Sequence, residues 1–209
     1  MALDSASGLT GAIGTVAAVI VALYLSIWRE SRRQADLEVL DFEPSRTGDQ
    51  VEVPAADHQS VWVRLPVVNG PRRKTAHDVE VTLESIEPLD DEVRPDLRRD
   101  LAGAAGRQLK WADRSDRVLS IHPGAARRFD LVHARIYPSA DQNYCRMTFR
   151  DPGHGDDGHA HGWRGVLLPG SYRVTFSVEA ADIDSRQFSC VIKWAGGLEI
   201  DVSVVTRIA

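Results

Sequence analysis

The residues best suited to metal chemistry are concentrated in one glycine-rich stretch, residues 153–162. It contains His159 and His161, which point the same way in an extended chain, and Asp157 could join them. Imidazole and carboxylate ligands suit zinc, nickel or copper. The glycines equally fit a solvated loop between two strands, and a flexible loop loses entropy when it binds anything. We expect the loop and no cofactor, with the metal site as the open alternative.

The two cysteines are the other candidates for chemistry. Cys145 and Cys190 each fall on the apolar face of a predicted strand, where free cysteines behave as small hydrophobes rather than nucleophiles. The sequence contains no nucleophile elbow, phosphate loop, dinucleotide fingerprint or His-Glu-x-x-His motif. We therefore expect a protein that is not an enzyme.

Length and composition exclude further classes. The 209 residues carry a formal net charge of -5, whereas a nucleic-acid binder is usually basic. Two cysteines cannot build a disulfide scaffold. A hydrophobic content of 43% is too high for a disordered chain. The composition thus predicts a folded protein without a nucleic-acid partner.

The first part of the chain has the pattern of a membrane-spanning helix. Residues 5–28 contain neither a charge nor a proline, and at ~1.5 Å per residue such a helix exceeds the roughly 30 Å core of a bilayer. Apolar residues lie on every side, whereas a helix on a soluble domain keeps one polar face. A cleaved signal peptide needs a basic start and a small-residue cleavage site, and the sequence has neither. We expect an uncleaved transmembrane helix within residues 1–28.

Arginines after the predicted helix set its orientation. Arg29, Arg32 and Arg33 lie in a linker over residues 29–36, and no basic side chain precedes the helix. Arginine near a helix end favours the cytoplasmic side. We expect a single-pass protein of the cell membrane with its N-terminus outside and its C-terminal domain in the cytoplasm.

Small residues recur at every fourth position of the predicted helix. Gly14, Ala18 and Ala22 therefore share one face. Small residues at this spacing let two helix backbones approach closely in lipid. The pattern predicts self-association through this face, although glycine and alanine are also common in membrane helices generally.

Period-two alternation dominates the remainder of the chain, residues 37–209. Residues 172–178 and 188–194 each alternate apolar with polar side chains, and the turn at Ala195-Gly196-Gly197 predicts a hairpin between the second run and residues 198–204. Further runs occur at residues 37–42, 61–67, 79–83, 118–122, 128–136 and 144–149. Short strands separated by turn residues predict a β-sandwich.

One helix is predicted to interrupt the strands. Leu97, Leu101 and Leu109 follow Pro95 at helical spacing, and proline is tolerated in a first helical turn. Glycines at positions 103 and 106 weaken this prediction. We expect the helix to cover one end of the sandwich.

Two further features are interpreted as structural. The basic turn at residues 71–74 is read as solvated, with contact to anionic lipid or a nucleotide phosphate as the alternative. Phe129 and Asp130 are read as packing at a strand end. Neither interpretation assigns a catalytic role.

Three stretches resemble an immunoglobulin-like module. Residues 63–70 end in Asn and Gly, residues 75–83 begin with Thr followed by Ala-His-Asp-Val, and residues 168–174 contain Pro-Gly-Ser-Tyr. This arrangement is similar to immunoglobulin-like modules of the CARDB type. The sequence departs from that pattern in having Asn69 directly before Gly70, in the basic turn and in the long segment at residues 87–116. It also lacks the Cys-Trp-Cys arrangement of antibody domains. The resemblance implies a binding or spacing module, usually without catalysis, and transfers no site residue.

The expected fold is an N-terminal transmembrane α-helix followed by an all-β immunoglobulin-like sandwich with one short inserted helix. Its parts are residues 1–28, 29–36 and 37–209. The expected function is a cytoplasmic binding or scaffolding module, anchored in a lipid bilayer, with a protein partner whose identity is open. The alternative is a membrane effector whose sandwich senses a cytoplasmic ligand and clusters the transmembrane helices.

Overall fold

The computed structural model describes residues 16–28, 30, 34–55, 57–90, 101–112, 119–137, 143–149, 166–181, 183–203 and 205–208. Within these residues the chain forms the strands β1 (Leu37–Val39), β2 (Gln50–Pro54), β3 (Gln59–Asn69), β4 (Ala76–Pro88), β5 (Arg107–Gln108), β6 (Lys110–Trp111), β7 (Leu119–Ile121), β8 (Ala126–Ile136), β9 (Tyr144–Met147), β10 (Val166–Leu167), β11 (Gly170–Ala180), β12 (Ile183–Trp194), β13 (Ile200–Val202) and β14 (Thr206–Arg207).

The strands form two antiparallel sheets. The first sheet has the order β1-β3-β8-β9-β10, with β2 also paired to β3 and β6 to β8. The second sheet has the order β13-β12-β11-β4-β5, with β14 also paired to β12 and β7 to β4. The strands therefore form an all-β sandwich of two sheets, as the alternation predicts.

Alternation decides which face of each strand is buried. In β11, Tyr172, Val174 and Phe176 are buried while the intervening side chains face outward. The hairpin predicted at the C-terminal side is confirmed, because β12 pairs with β13 and aligns Trp194 with Ile200. Gly196 in the connecting turn has a φ of 96°, a conformation that glycine adopts without strain.

Aromatic side chains join the two sheets in the core. Phe129 of β8 meets Phe176 of β11 with ring centroids 5.3 Å apart. Phe176 also stacks on Phe188 of β12, and Trp111 of β6 packs edge-on against Phe129. Such aromatic pairs contribute about 0.5–1.5 kcal/mol beyond the burial of their area. Phe129 and Phe176 thus lie at the centre of the sandwich.

A buried tyrosine fixes the start of β11. Tyr172 is 1% exposed, and its hydroxyl donates a hydrogen bond of 2.8 Å to the carbonyl oxygen of Leu168. This bond runs back along the chain to a residue shortly before the strand. Burial raises the pKa of Tyr172, so the hydroxyl stays a donor at neutral pH.

The connection from β3 to β4 passes from the first sheet to the second. The N–H of Gly70 donates to the carbonyl of Asp36 at 3.1 Å, and the N–H of Gly124 donates to the carbonyl of Asn69 at 2.8 Å. The turn after β3, the start of β1 and the loop before β8 therefore lie together. We call this end of the sandwich the linker end; its described residues are 36–37, 69–75, 122–125, 180–181 and 183.

The prediction of a helix running to Leu109 is wrong. Residues 101 and 102 are helical, but Arg107–Gln108 is strand β5 and pairs with β4. Gly106 has a φ of 76° and its N–H donates to the carbonyl of Leu83 at 2.7 Å. A residue with positive φ cannot continue a helix, so the chain turns into the second sheet there. Residues 95–100 of this prediction lie outside the described residues.

A short helix precedes the sandwich, and its described residues are 16–28 and 30. No helix in the described part of the chain is both long and apolar enough to cross a membrane. The predicted span starts at Ser5, and residues 1–15 lie outside the described residues.

Candidate functional site

The helix at residues 16–28 exposes apolar side chains all around its axis. Every residue of this segment is exposed, and the exposed fraction of its large apolar side chains runs from 42% at Trp28 to 69% at Ile27. A helix that is apolar on all sides is typical of a protein core or a membrane. A large contiguous apolar surface marks a site of interaction with a protein or a lipid.

The face predicted for self-association lies partly on this helix. Ala18 and Ala22 are one helical turn apart, and both are exposed. Gly14 lies outside the described residues. Self-association through Gly14, Ala18 and Ala22 therefore stays a prediction.

Asp36 joins the end of the linker to both sheets. Arg186 of β12 donates to its carboxylate at 2.6 Å and to the carbonyl of Leu37 at 2.8 Å, and Arg73 donates to its second carboxylate oxygen at 3.0 Å. The hydrogen bond from Arg186 lowers the pKa of Asp36 below its ordinary 3.8. Burial opposes this shift, and the charges of Arg186, Arg73 and Arg207 add to it. The carboxylate is therefore ionised at neutral pH.

A third ion pair ties the helix to the same end of the sandwich. The ammonium group of Lys74 pairs with the carboxylate of Glu30, which is also helical. Both side chains are more than half exposed, so the pair adds little stability. Its consequence is positional: the helix end lies beside the basic turn at residues 71–74.

The buried side chain of Asn69 stabilises this turn through hydrogen bonds. Its side chain is 1% exposed, and its carbonyl oxygen accepts a hydrogen bond of 3.1 Å from the N–H of Asp36. Its amide donates to the carbonyl of Lys74 at 2.7 Å and to that of Ile121 at 3.0 Å. Asn69 therefore has a structural role, linking the linker, the turn and β7.

The outer face of the first sheet carries buried ion pairs that the sequence did not predict. Arg64 donates to Asp130 at 2.8 Å, and Arg128 donates to Asp49 at 2.8 Å. Asp49 and Asp130 are 0% and 2% exposed. Arg46 completes the group with a 3.0 Å hydrogen bond to Asp49. The pair between Arg128 and Asp49 attaches the loop between β1 and β2 to the sheet, and the pair between Arg64 and Asp130 joins β3 to β8.

Both thiols are buried in the core. Cys145 and Cys190 are free and at most 2% exposed. Burial raises the pKa of both groups, that of Cys190 to about 12. A nucleophilic cysteine needs the opposite shift. The two residues therefore pack as small apolar side chains.

Several predicted site residues lie outside the described residues. They are the orienting arginines Arg29, Arg32 and Arg33 and the candidate metal ligands Asp157, His159 and His161. Within the described ranges, no group of three or more His, Cys, Asp or Glu side chains could hold a metal ion. The metal interpretation and the orientation stay predictions.

Comparison with known proteins returns no match among family models, curated proteins or solved structures. The described residues define a class by their fold alone, an antiparallel β-sandwich of two sheets. An exposed apolar helix is tied to one end of that sandwich by the ion pair between Glu30 and Lys74.

Proposed function

We propose that this chain is a single-pass membrane protein that presents an immunoglobulin-like sandwich to the cytoplasm as a binding or scaffolding module. The helix at residues 16–28 carries this proposal, because it is apolar and exposed on every side. Lipid is the medium in which such a surface is stable. The same uncharged sequence extends back to Ser5, a length sufficient to cross the hydrocarbon core.

The proposed orientation rests on the linker. Arg29, Arg32 and Arg33 follow the helix, and arginines at a helix end favour the cytoplasmic side. The sandwich would then lie in the cytoplasm with the linker end nearest the membrane. The N-terminus would lie outside.

The immunoglobulin-like assignment, including its likeness to CARDB-type modules, is supported by the corner at Tyr172. A buried tyrosine whose hydroxyl binds a backbone carbonyl a few residues upstream is a hallmark of such sandwiches. The bond from Tyr172 to Leu168 has this form. The Pro169-Gly170 pair before the tyrosine belongs to the sequence pattern that suggested the resemblance.

A role in binding rather than catalysis is supported by how the buried charges are arranged. Asp49 and Asp130 accept hydrogen bonds from arginines, and so does Asp36. The guanidinium of arginine stays protonated in proteins, so these pairs position loops and strands and transfer no protons. The proposed partner is a cytoplasmic protein.

Fractionation of the full-length protein tests the anchor. We expect the wild-type chain in the membrane pellet, resistant to an alkaline wash and released only by detergent. Replacing Val19 and Leu23 by aspartate should move the chain to the supernatant, because each buried charge disfavours insertion by about 2.5–3.5 kcal/mol. Val19→Leu with Leu23→Ile is the matched control. Wild-type protein in the high-speed supernatant without detergent would overturn the proposal.

Orientation has a separate test. A reporter that is active only outside the cytoplasm, fused after Ala209, should be inactive. Replacing Arg29, Arg32 and Arg33 together by glutamine should raise its activity by removing the charge asymmetry. Strong activity of the wild-type fusion would reverse the orientation and leave the anchor intact.

A membrane effector is the second candidate, favoured by the ion pairs at the linker end. Lys74 pairs with Glu30 of the helix. Arg73 and Arg186 pair with Asp36 of the linker. A conformational change in the sandwich would therefore be passed to the linker and the helix. An effector of this kind predicts dye leakage from cells on overexpression. The leakage should disappear with the aspartate variant described above.

A further inference from the structure

We infer that the linker end is a lipid-contacting surface, at which Arg72 and Arg127 bind the anionic headgroups of the membrane in which the helix is anchored. This inference rests on the proposed membrane anchor. It adds a partner, the anionic leaflet itself, and two residues that would meet it.

Position is the first argument. The ion pair between Glu30 and Lys74 places the basic turn directly beside the end of the exposed apolar helix. Asp36 and Arg73 hold the other side of the same turn at 3.0 Å. If the helix enters a bilayer, the residues of this turn are the first part of the sandwich to approach the headgroups.

Charge balance within the turn is the second argument. Arg73 forms an ion pair with Asp36, and Lys74 forms one with Glu30. Arg72 is exposed and makes no ion pair with any other described residue. The turn therefore carries at least one positive charge that no acidic side chain among the described residues pairs with, and an arginine can bind a phosphate with two parallel hydrogen bonds.

The backbone of Arg72 is the third argument. Its φ is 68°, in a region that favours glycine. Residues with a strained backbone cluster at functional sites, where the function of the side chain explains why the strained conformation is retained. Glycine at this position would suit the turn better but would carry no charge.

Arg127 supplies a second cation at the same end. It follows the loop at residues 122–125, which is hydrogen-bonded to Asn69 through Gly124 and Ala125. The side chain of Arg127 is exposed and has no ion pair within the described ranges. Each arginine near an anionic leaflet should favour the contact about fivefold. High salt should abolish the contact, because screening shortens the reach of surface charges.

A distance measurement on the full chain tests the contact. A fluorophore is attached at Pro123→Cys on the linker end or, as a control, at Gly197→Cys at the opposite end, where a new side chain meets open space. The native thiols do not compete, since Cys145 and Cys190 are buried with raised pKa values. Energy transfer to acceptor-labelled headgroups is measured in phosphatidylcholine vesicles with and without a quarter of phosphatidylglycerol.

We expect stronger energy transfer from position 123 in the anionic vesicles, reversed by high salt, and no change from position 197. Arg72→Gly should lower the ratio of contacting to free protein about fivefold, and Arg72→Lys should retain it. Because glycine suits the backbone at this position, Arg72→Gly should remain folded. Arg127→Gln should lower the ratio by a similar factor.

Three outcomes would overturn the inference. Equal transfer in both vesicles, with the chain floating with both, removes the lipid contact and leaves the anchor. If adding inorganic phosphate to the uncharged vesicles changes the energy transfer from position 123 as much as anionic lipid does, the two arginines bind a soluble anion instead. A chain that floats with neither vesicle removes the anchor and the contact together.

Discussion

The guanidinium of Arg186 lies 2.6 Å from the carboxylate of Asp36, 150 residues away in the sequence. Asp36 is the last residue of the linker, and Arg186 projects from β12. A strand of the second sheet therefore binds the residue at which the chain enters the first sheet. Arg186 also donates to the carbonyl of Leu37, which fixes the first residue of β1. The linker is thus attached to the sandwich by side chains as well as by the backbone.

Arg186→Met should therefore destabilise the sandwich. It removes a charge-assisted hydrogen bond to a half-buried carboxylate, and we expect a loss of about 1–2 kcal/mol in the free energy of unfolding. Urea unfolding of the full chain in detergent, followed by tryptophan fluorescence, measures it, because Trp111 and Trp194 are buried. Arg173→Met is the control: its ion pair with Glu87 is exposed at 3.6 Å, and the loss should stay below about 0.5 kcal/mol. Equal losses would contradict this role of Arg186.

The lowered pKa of Asp36 predicts how stability depends on pH. A group whose pKa is lower in the folded state contributes stability above its unfolded pKa and loses it as the pH falls through the folded value. The contribution of Asp36 should thus be complete above its ordinary 3.8 and decline below it. Urea midpoints measured from about pH 5 to about pH 3 should fall less steeply in Arg186→Met than in the wild type. Parallel curves would show that Arg186 does not cause the shift.

The buried pair between Arg64 and Asp130 predicts a larger effect. Asp130→Ala leaves the guanidinium of Arg64, whose side chain is 17% exposed, without the carboxylate at 2.8 Å. Removing one partner of a buried pair costs about 3 kcal/mol. The matched control is Glu43→Ala, whose carboxylate is 55% exposed in its pair with Arg46 and should matter by less than about 0.5 kcal/mol. A loss of similar size in both variants, measured by urea unfolding, would contradict the buried role.

Strands with one buried and one wet face could be predicted from the sequence. The alternation in β11 and β12 gives their faces correctly, because the two environments impose a period of two. The inserted helix was partly mispredicted for a related reason. Leucines at helical spacing indicate a helix, but Gly106 turns the chain and Leu109 is buried as part of the sandwich. The pairing of β5 with β4 determines the secondary structure of that region, and the spacing of residues along the chain contains no information about this pairing.

The ion pairs were beyond sequence reasoning because their partners are distant in the chain. Asp49 and Arg128 are 79 positions apart, so no local spacing connects them. Only Asp130 indicated an ion pair from the sequence. It lies between Phe129 and Leu131 in an apolar run, and a buried charge there requires a partner of opposite charge. The interpretation of Phe129 and Asp130 as strand-end packing overlooked that requirement. Phe129 instead belongs to the centre of the core.

Self-association of the helix gives the last prediction. Ala18 and Ala22 lie one turn apart on an exposed face, and small residues there let two helices approach closely in lipid. Ala18→Ile with Ala22→Ile should hold the backbones apart and lower the crosslinked dimer of the full chain in vesicles about tenfold, equivalent to about 1.4 kcal/mol. Val16→Ile with Leu23→Phe adds bulk to the opposite face and should leave the dimer unchanged. If both double variants crosslink like the wild type, any self-association must come from the sandwich rather than from the helix.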